Sequence, residues 1–167
     1  RDRGIQVYGL ARAAEFEHVL GPIRRNLTAV GIPIEQSNPE YAPGQVEVNI
    51  RYGGALESAD RVVRFRSLVK ELALRENYLA TFMSKPFINQ SGNGFHTHHS
   101  LWQDGKNICA DKGKLSAIGL NYLAGMQKHM SEMALASAGT PNAYRRRQPY
   151  TFCPINTTWG VDNRTVG

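Results

Sequence analysis

The chain has 167 residues, 41% hydrophobic and 20% charged, the balance of one globular domain and not of a disordered tail. Its 20 basic and 14 acidic residues leave a net charge of +6, which favours anionic partners. No apolar run reaches the length of a membrane span and no leader-like segment opens the sequence. Cys109 and Cys153 lie far apart without metal spacing, so a reducing, cytoplasmic setting is expected over a disulfide scaffold.

Residues 11–30 place Phe16, Val19, Leu20, Ile23, Leu27 and Val30 at helical spacing, with Gly21-Pro22 as a point of kink or interruption and Gly31 as the stop. A short extended piece with Ile32 and Ile34 follows. "SNPEYAPGQ" then reads as loop, because two prolines and a glycine break any regular period. "QVEVNIRY" alternates as a strand, with Val46, Val48, Ile50 and Tyr52 on one face and Glu47, Asn49 and Arg51 on the other. A second helix is expected over 57–77, burying Ala59, Val62, Val63, Leu68, Val69 and Leu72. "YLATFMSKP" reads as a strand ending at Pro86, and 94–101 as another. "DGKN" at 104–107 is a turn signal. A long helix follows over 115–137 with Ser116 as its cap, and then a strand-like tail, "PINTTWGVDNRTV", broken at Gly160. Strands and helices do not alternate as βαβ units. The expected class is therefore α+β with a mainly antiparallel sheet.

Three clusters carry candidate chemistry. On a strand over 94–101, His96, His98 and Ser100 share one face and His99 the other. That face reads as a metal platform, a phosphate platform or a solvated surface. Gly92 and Gly94 before it let backbone approach a ligand closely. The second cluster is Glu35, Glu40 and Glu47. If the loop holding Pro43-Gly44 doubles back, Glu40 and Glu47 can meet one hard cation, Mg²⁺ or Mn²⁺; otherwise they are exposed glutamates. The third is Arg145, Arg146, Arg147 and Arg164, whose guanidinium forks suit carboxylate or phosphate; for Arg145 and Arg147 the alternative is a solvated basic face. No stacking motif accompanies the arginine run, which argues against nucleic acid as the partner. Together the clusters are what phosphoryl transfer to a carboxylate requires.

In order, "APGQVEVNIR", "TFMSKPFINQSGNGFHTHHSLW" with "DGKN", "NAYRRR" and "WGVDNRTV" resemble the catalytic domain of the glutamine synthetase family, from about residue 35 onward. The resemblance implies a mainly antiparallel curved sheet flanked by helices. It also implies ATP-dependent ligation of glutamate to an amine through a γ-glutamyl phosphate. Glu40 and Glu47 match ligands of the metal serving the substrate, and His96 a ligand of the metal near the ATP phosphates. His98 and Ser100 match ATP-contacting positions, and Glu35 a position beside the nucleotide. Gly92 matches backbone near glutamate, Arg146 the arginine clamp on glutamate, and Arg164 an arginine facing the phosphoryl group. His99 reads as structural.

Two departures bear on the acceptor. Ammonia-using members carry a proton-accepting glutamate six residues after the clamp arginine; here that position is Phe152, whose ring accepts no proton. Asn38-Pro39 replace histidines that often precede the first metal glutamate. Both lean the reading towards a γ-glutamylpolyamine or γ-glutamylalkylamide synthetase, with Phe152 lining the pocket for an organic amine. Plain glutamine synthetase is the alternative, and a non-catalytic module of the same fold a further one. The family also has an N-terminal β-grasp domain, an early glutamate pair and active sites shared between subunits of a homo-oligomeric ring. This sequence lacks those parts, so it reads as a piece of a longer chain, inactive alone.

Overall fold

The computed structural model describes residues 4–163 and divides into two compact units, one ending at Phe82 and one starting at Met83.

The first unit is two helices and a hairpin. Helix α1 spans Leu10–Ala29, and α2 spans Ala55–Arg75. Strands β1 (Ile34–Pro39) and β2 (Val46–Ile50) pair antiparallel. Val19, Ile23 and Leu27 recur every four residues, so one stripe of α1 is apolar and buries itself. With Ile32 and Leu72 they form the core, flanked by Ile34, Ile50, Phe65, Leu68 and Val69. Helix α1 continues through Pro22 without interruption, and Gly31 ends the turn after it with φ +81°, a conformation that favours glycine. Of the residues expected on the buried side of α2, Leu72 is buried and Val62, Leu68 and Val69 are half-buried; Ala59 and Val63 are exposed. The apolar stripe of α2 is therefore narrower than its composition suggests.

The segment read as loop from Ser37 is corrected at its start: Ser37, Asn38 and Pro39 belong to β1. Pro39 ends the strand, where a missing N–H costs no ladder bond, and its carbonyl accepts from the Tyr8 N–H at 3.0 Å. The true connection is short. Ala42-Pro43-Gly44-Gln45 turns back with Gly44 at φ +72° and the Gln45 N–H donating to the Ala42 carbonyl at 2.9 Å.

The second unit carries two short hairpins and two helices. Strands β3 (Trp102–Gln103) and β4 (Lys106–Asn107) flank Asp104-Gly105, both at positive φ. Strands β5 (Ala110–Asp111) and β6 (Lys114–Leu115) repeat the device with Lys112-Gly113. Helix α3 spans Ala117–Ser137, and the Ser116 hydroxyl caps it by accepting from the Gly119 N–H at 3.0 Å. A six-residue helix absent from the sequence reading, α4 (Pro141–Arg146), starts on Thr140-Pro141, with proline where its lost donor is harmless.

Three expected strands are not formed. Residues 78–86, 94–101 and the described part of the tail, 154–163, carry no ladder. Alternation records which side chains could share a face, whereas a strand also needs a ladder with a partner, and no ladder among the described residues includes these segments. All strand pairs among the described residues are antiparallel two-stranded sheets, which makes the chain α+β. No described helix is long and apolar enough to cross a membrane.

Leu27 has no exposed surface. Leu27→Ala is expected to cost about 2–5 kcal/mol, read from urea unfolding of a chain carrying this unit. A loss below about 1 kcal/mol would place the core elsewhere.

Candidate functional site

In the first unit the Pro43-Gly44 turn brings the glutamates onto one hairpin. Glu47 lies directly opposite Asn38, and the Glu40 N–H donates to the Gln45 carbonyl at 2.9 Å, extending the pairing one residue past β1. Each carboxylate has an asparagine beside it. Asn38 Nδ2 donates to Glu40 Oε1 at 3.3 Å, and Asn49 Nδ2 to Glu47 Oε1 at 2.9 Å. Asn38 Oδ1 and Asn49 Oδ1 are both buried without a hydrogen-bond partner. Two half-buried carboxylates beside two orphaned amide oxygens make an all-oxygen donor set, and that chemistry fits a hard divalent cation. The hairpin supplies only part of a shell: no group of three or more His, Cys, Asp or Glu converges among the described residues.

The ladder shifts register between Ile34 and Gln36, which pair with Ile50 and Asn49, so Glu35 is left as the extra residue of a bulge. A bulge re-aims the side chain it carries. Glu35 is exposed and borders an open depression shared with Glu17, Arg24 and Ser37. Arg24 hydrogen-bonds both Glu17 carboxylate oxygens, at 2.6 and 2.9 Å, and holds that carboxyl below its usual range. Arg24 also donates to Ser37 Oγ at 2.8 Å.

In the second unit the glycines, the arginine and one histidine come together. Arg146 ends α4 and lays its stem over Gly92: a Cβ there would lie 2.6 Å from the Ser84 carbonyl oxygen and 3.0 Å from Arg146 Cγ and Cδ. A Cβ on Gly94 would lie 3.1 Å from Arg146 Nη2 and 3.2 Å from the His96 ring atoms Cδ2 and Nε2. A side chain at Gly92 would collide with the Ser84 backbone carbonyl and crowd the Arg146 stem, which is why glycine stands there. Arg146 Nη2 donates to the Phe152 carbonyl at 3.1 Å, and the Arg146 carbonyl accepts from Thr151 Oγ1 at 2.7 Å. Arg146 Nε is buried with no acceptor. Arg146 is a half-buried cation, and a carboxylate is an acceptor that its planar guanidinium fits.

His96, His98 and Ser100 are exposed, and the shared strand face expected for them is not present. Ser100 Oγ accepts from Trp102 Nε1 at 2.9 Å. His99 Nδ1 meets the Tyr122 hydroxyl at 2.8 Å, in keeping with a structural role. Phe152 is exposed and sits at φ +56°, two residues after the fully exposed Tyr150 at φ +62°. Arg164 lies outside the described residues.

Sequence reasoning missed three supporting amides. Asn38 and Asn49 orient Glu40 and Glu47, and Asn142 bonds the backbone of Lys85. For the first two, the two-residue spacing on a strand was a usable signal; for Asn142 only its place after Pro141 was.

The family model for the glutamine synthetase catalytic domain matches residues 1–167. Among curated proteins, the chain is 39% identical over 150 residues to a glutamine synthetase of Methanococcus voltae, covering 86% of this chain and 34% of that protein. It is 36% identical over 163 residues to a glutamate–isopropylamine ligase of a Pseudomonas species, covering 95% and 36%. Among solved structures, a GmaS/ADP complex superposes with a TM-score of 0.90 at 33% identity, over 98% of this chain and 40% of that one. A Plasmodium falciparum glutamine synthetase superposes with a TM-score of 0.74 at 30% identity, over 77% and 26%. The chain thus spans about a third of the length of these curated relatives. An arginine packed on a glycine-rich turn, a carboxylate hairpin and a match running the whole chain agree: the chain belongs to the glutamine synthetase family, through its catalytic domain.

Proposed function

We propose that the whole protein ligates glutamate to an organic amine at the expense of ATP, through a γ-glutamyl phosphate. The observation that carries this reading is Arg146, whose stem packs over Gly92 at the end of α4 and whose planar guanidinium suits a substrate carboxylate. The names of the similar proteins, glutamine synthetase and glutamate–isopropylamine ligase, support the reaction class.

In this reading Arg146 binds a carboxylate of glutamate through its fork, and Gly92 leaves the room. Glu40 and Glu47, oriented by Asn38 and Asn49, hold Mg²⁺ or Mn²⁺ on the substrate side, and His96 serves the cation near the ATP phosphates. That cation neutralises charge on the phosphoryl oxygens when bound. His98 and Ser100 contact ATP, Glu35 lies beside the nucleotide, and Arg164 faces the phosphoryl group. The glutamate γ-carboxylate attacks the terminal phosphorus and ADP leaves. The amine nitrogen then attacks the acyl carbon, phosphate leaves, and the amine sheds a proton to a base other than Phe152. The Phe152 ring lines the acceptor side. The present chain is a partial catalytic domain, completed in the whole protein by a curved antiparallel sheet, an N-terminal β-grasp domain and a cytoplasmic homo-oligomeric ring.

The acceptor is tested by phosphate release from the longest natural chain containing this segment, with ATP, Mg²⁺ and glutamate. An organic amine is expected to outcompete ammonium at equal concentration. Equal or better turnover with ammonium would make this a glutamine synthetase and Phe152 a loop variant. In the same chain, Phe152→Glu is expected to lower kcat/KM for the organic amine by about tenfold and to raise it for ammonium. No change in their ratio would remove Phe152 from the acceptor side. Glu47→Gln is expected to weaken Mn²⁺ binding by at least about tenfold in a calorimetric titration. Unaltered affinity would remove Glu47 from the ligand set.

A further inference from the structure

Asn142 and Arg146 stand four residues apart on α4 and so share a face of the helix. Both face the same stretch of chain. Asn142 Oδ1 accepts from the Lys85 N–H at 2.8 Å, and Asn142 Nδ2 donates to the Lys85 carbonyl at 2.9 Å, across 57 residues of sequence. One side-chain amide thus takes both backbone groups of one residue, as a neighbouring strand would. Lys85 is itself buried, and its Nζ donates to the Gln90 carbonyl. The Asn93 N–H donates to the Ser84 carbonyl at 2.8 Å, and Asn93 Nδ2 to the Met83 carbonyl at 2.7 Å. Residues 83–93 therefore form a closed turn. Asn142 holds its start, and Arg146 rests on its end at Gly92.

We infer that Asn142 is a positioning residue: its two-bond clasp on Lys85 fixes the orientation of α4 and thereby the place of the Arg146 guanidinium over Gly92. The inference rests on the proposed role of Arg146 as the glutamate clamp. Losing the clasp frees the helix to rotate or slide against the turn, and a displacement of about 1 Å at a substrate clamp can cost up to about a hundredfold. The nucleotide is not held by Arg146 in this reading, so glutamate affinity suffers before ATP affinity.

The test is a double-mutant cycle in the longest natural chain, with Asn142→Ala, Arg146→Lys and the pair, reading KM for glutamate and for ATP. Asn142→Ala is expected to raise the glutamate KM by about tenfold or more while the ATP KM stays within about twofold. In the Arg146→Lys background the same change is expected to add little, because the group it positions is already altered. Asn142→Asp can accept from the Lys85 N–H but sets a second oxygen against the Lys85 carbonyl, and is expected to raise the glutamate KM at least as far as Asn142→Ala. It carries the same comparison if Asn142→Ala does not fold. An unchanged glutamate KM overturns the inference. So does an equal rise in both KM values, which marks a merely structural residue, and so does full additivity in the cycle. If Arg146→Lys alone leaves the glutamate KM unchanged, the clamp reading itself fails and this inference fails with it, a result distinct from the others.

Discussion

The close approach of Arg146 to Gly92 is the constraint on which the second unit's chemistry depends. The Arg146 stem and the Ser84 carbonyl together close the space a side chain at Gly92 would need. Nη2 donates to the Phe152 carbonyl, and the Arg146 backbone carbonyl accepts from the Thr151 hydroxyl. The Nη2 bond ties the loop that carries Phe152 to the arginine.

In the first unit the equivalent economy lies in the turn. Pro43 presets the backbone for the turn and Gly44 takes the positive φ, so two glutamates seven positions apart in sequence come onto one two-stranded ladder. The asparagine beside each carboxylate spends its N–H on that carboxylate and keeps its carbonyl oxygen unpaired.

What could be read from the chain divides along physical lines. Local signals were legible: the four-residue period of Val19, Ile23 and Leu27, the Ser116 cap, the Asp104-Gly105 turn and the Pro43-Gly44 reversal all act within a few residues. Pairing was not. Residues 94–101 alternate well enough for a strand, yet no ladder among the described residues includes them. For the same reason His96 is brought to Arg146 through Gly94 and not through a shared strand face. Helix α4 escaped notice because six residues cannot show a period, and the Asn142–Lys85 clasp because its partners are 57 residues apart. The motif resemblance supplied Arg146 and Gly92 as a pair; the composition of the arginine run did not separate Arg146 from Arg145 and Arg147.

The central claim is that Arg146 receives a carboxylate of glutamate. The most direct measurement is a structure of the longest natural chain with glutamate, Mg²⁺ and ADP bound. The account predicts a glutamate carboxylate at about 2.7–2.9 Å from the Arg146 guanidinium, lying along Gly92. Glutamate bound elsewhere, with Arg146 engaged only by the Phe152 carbonyl, would contradict it.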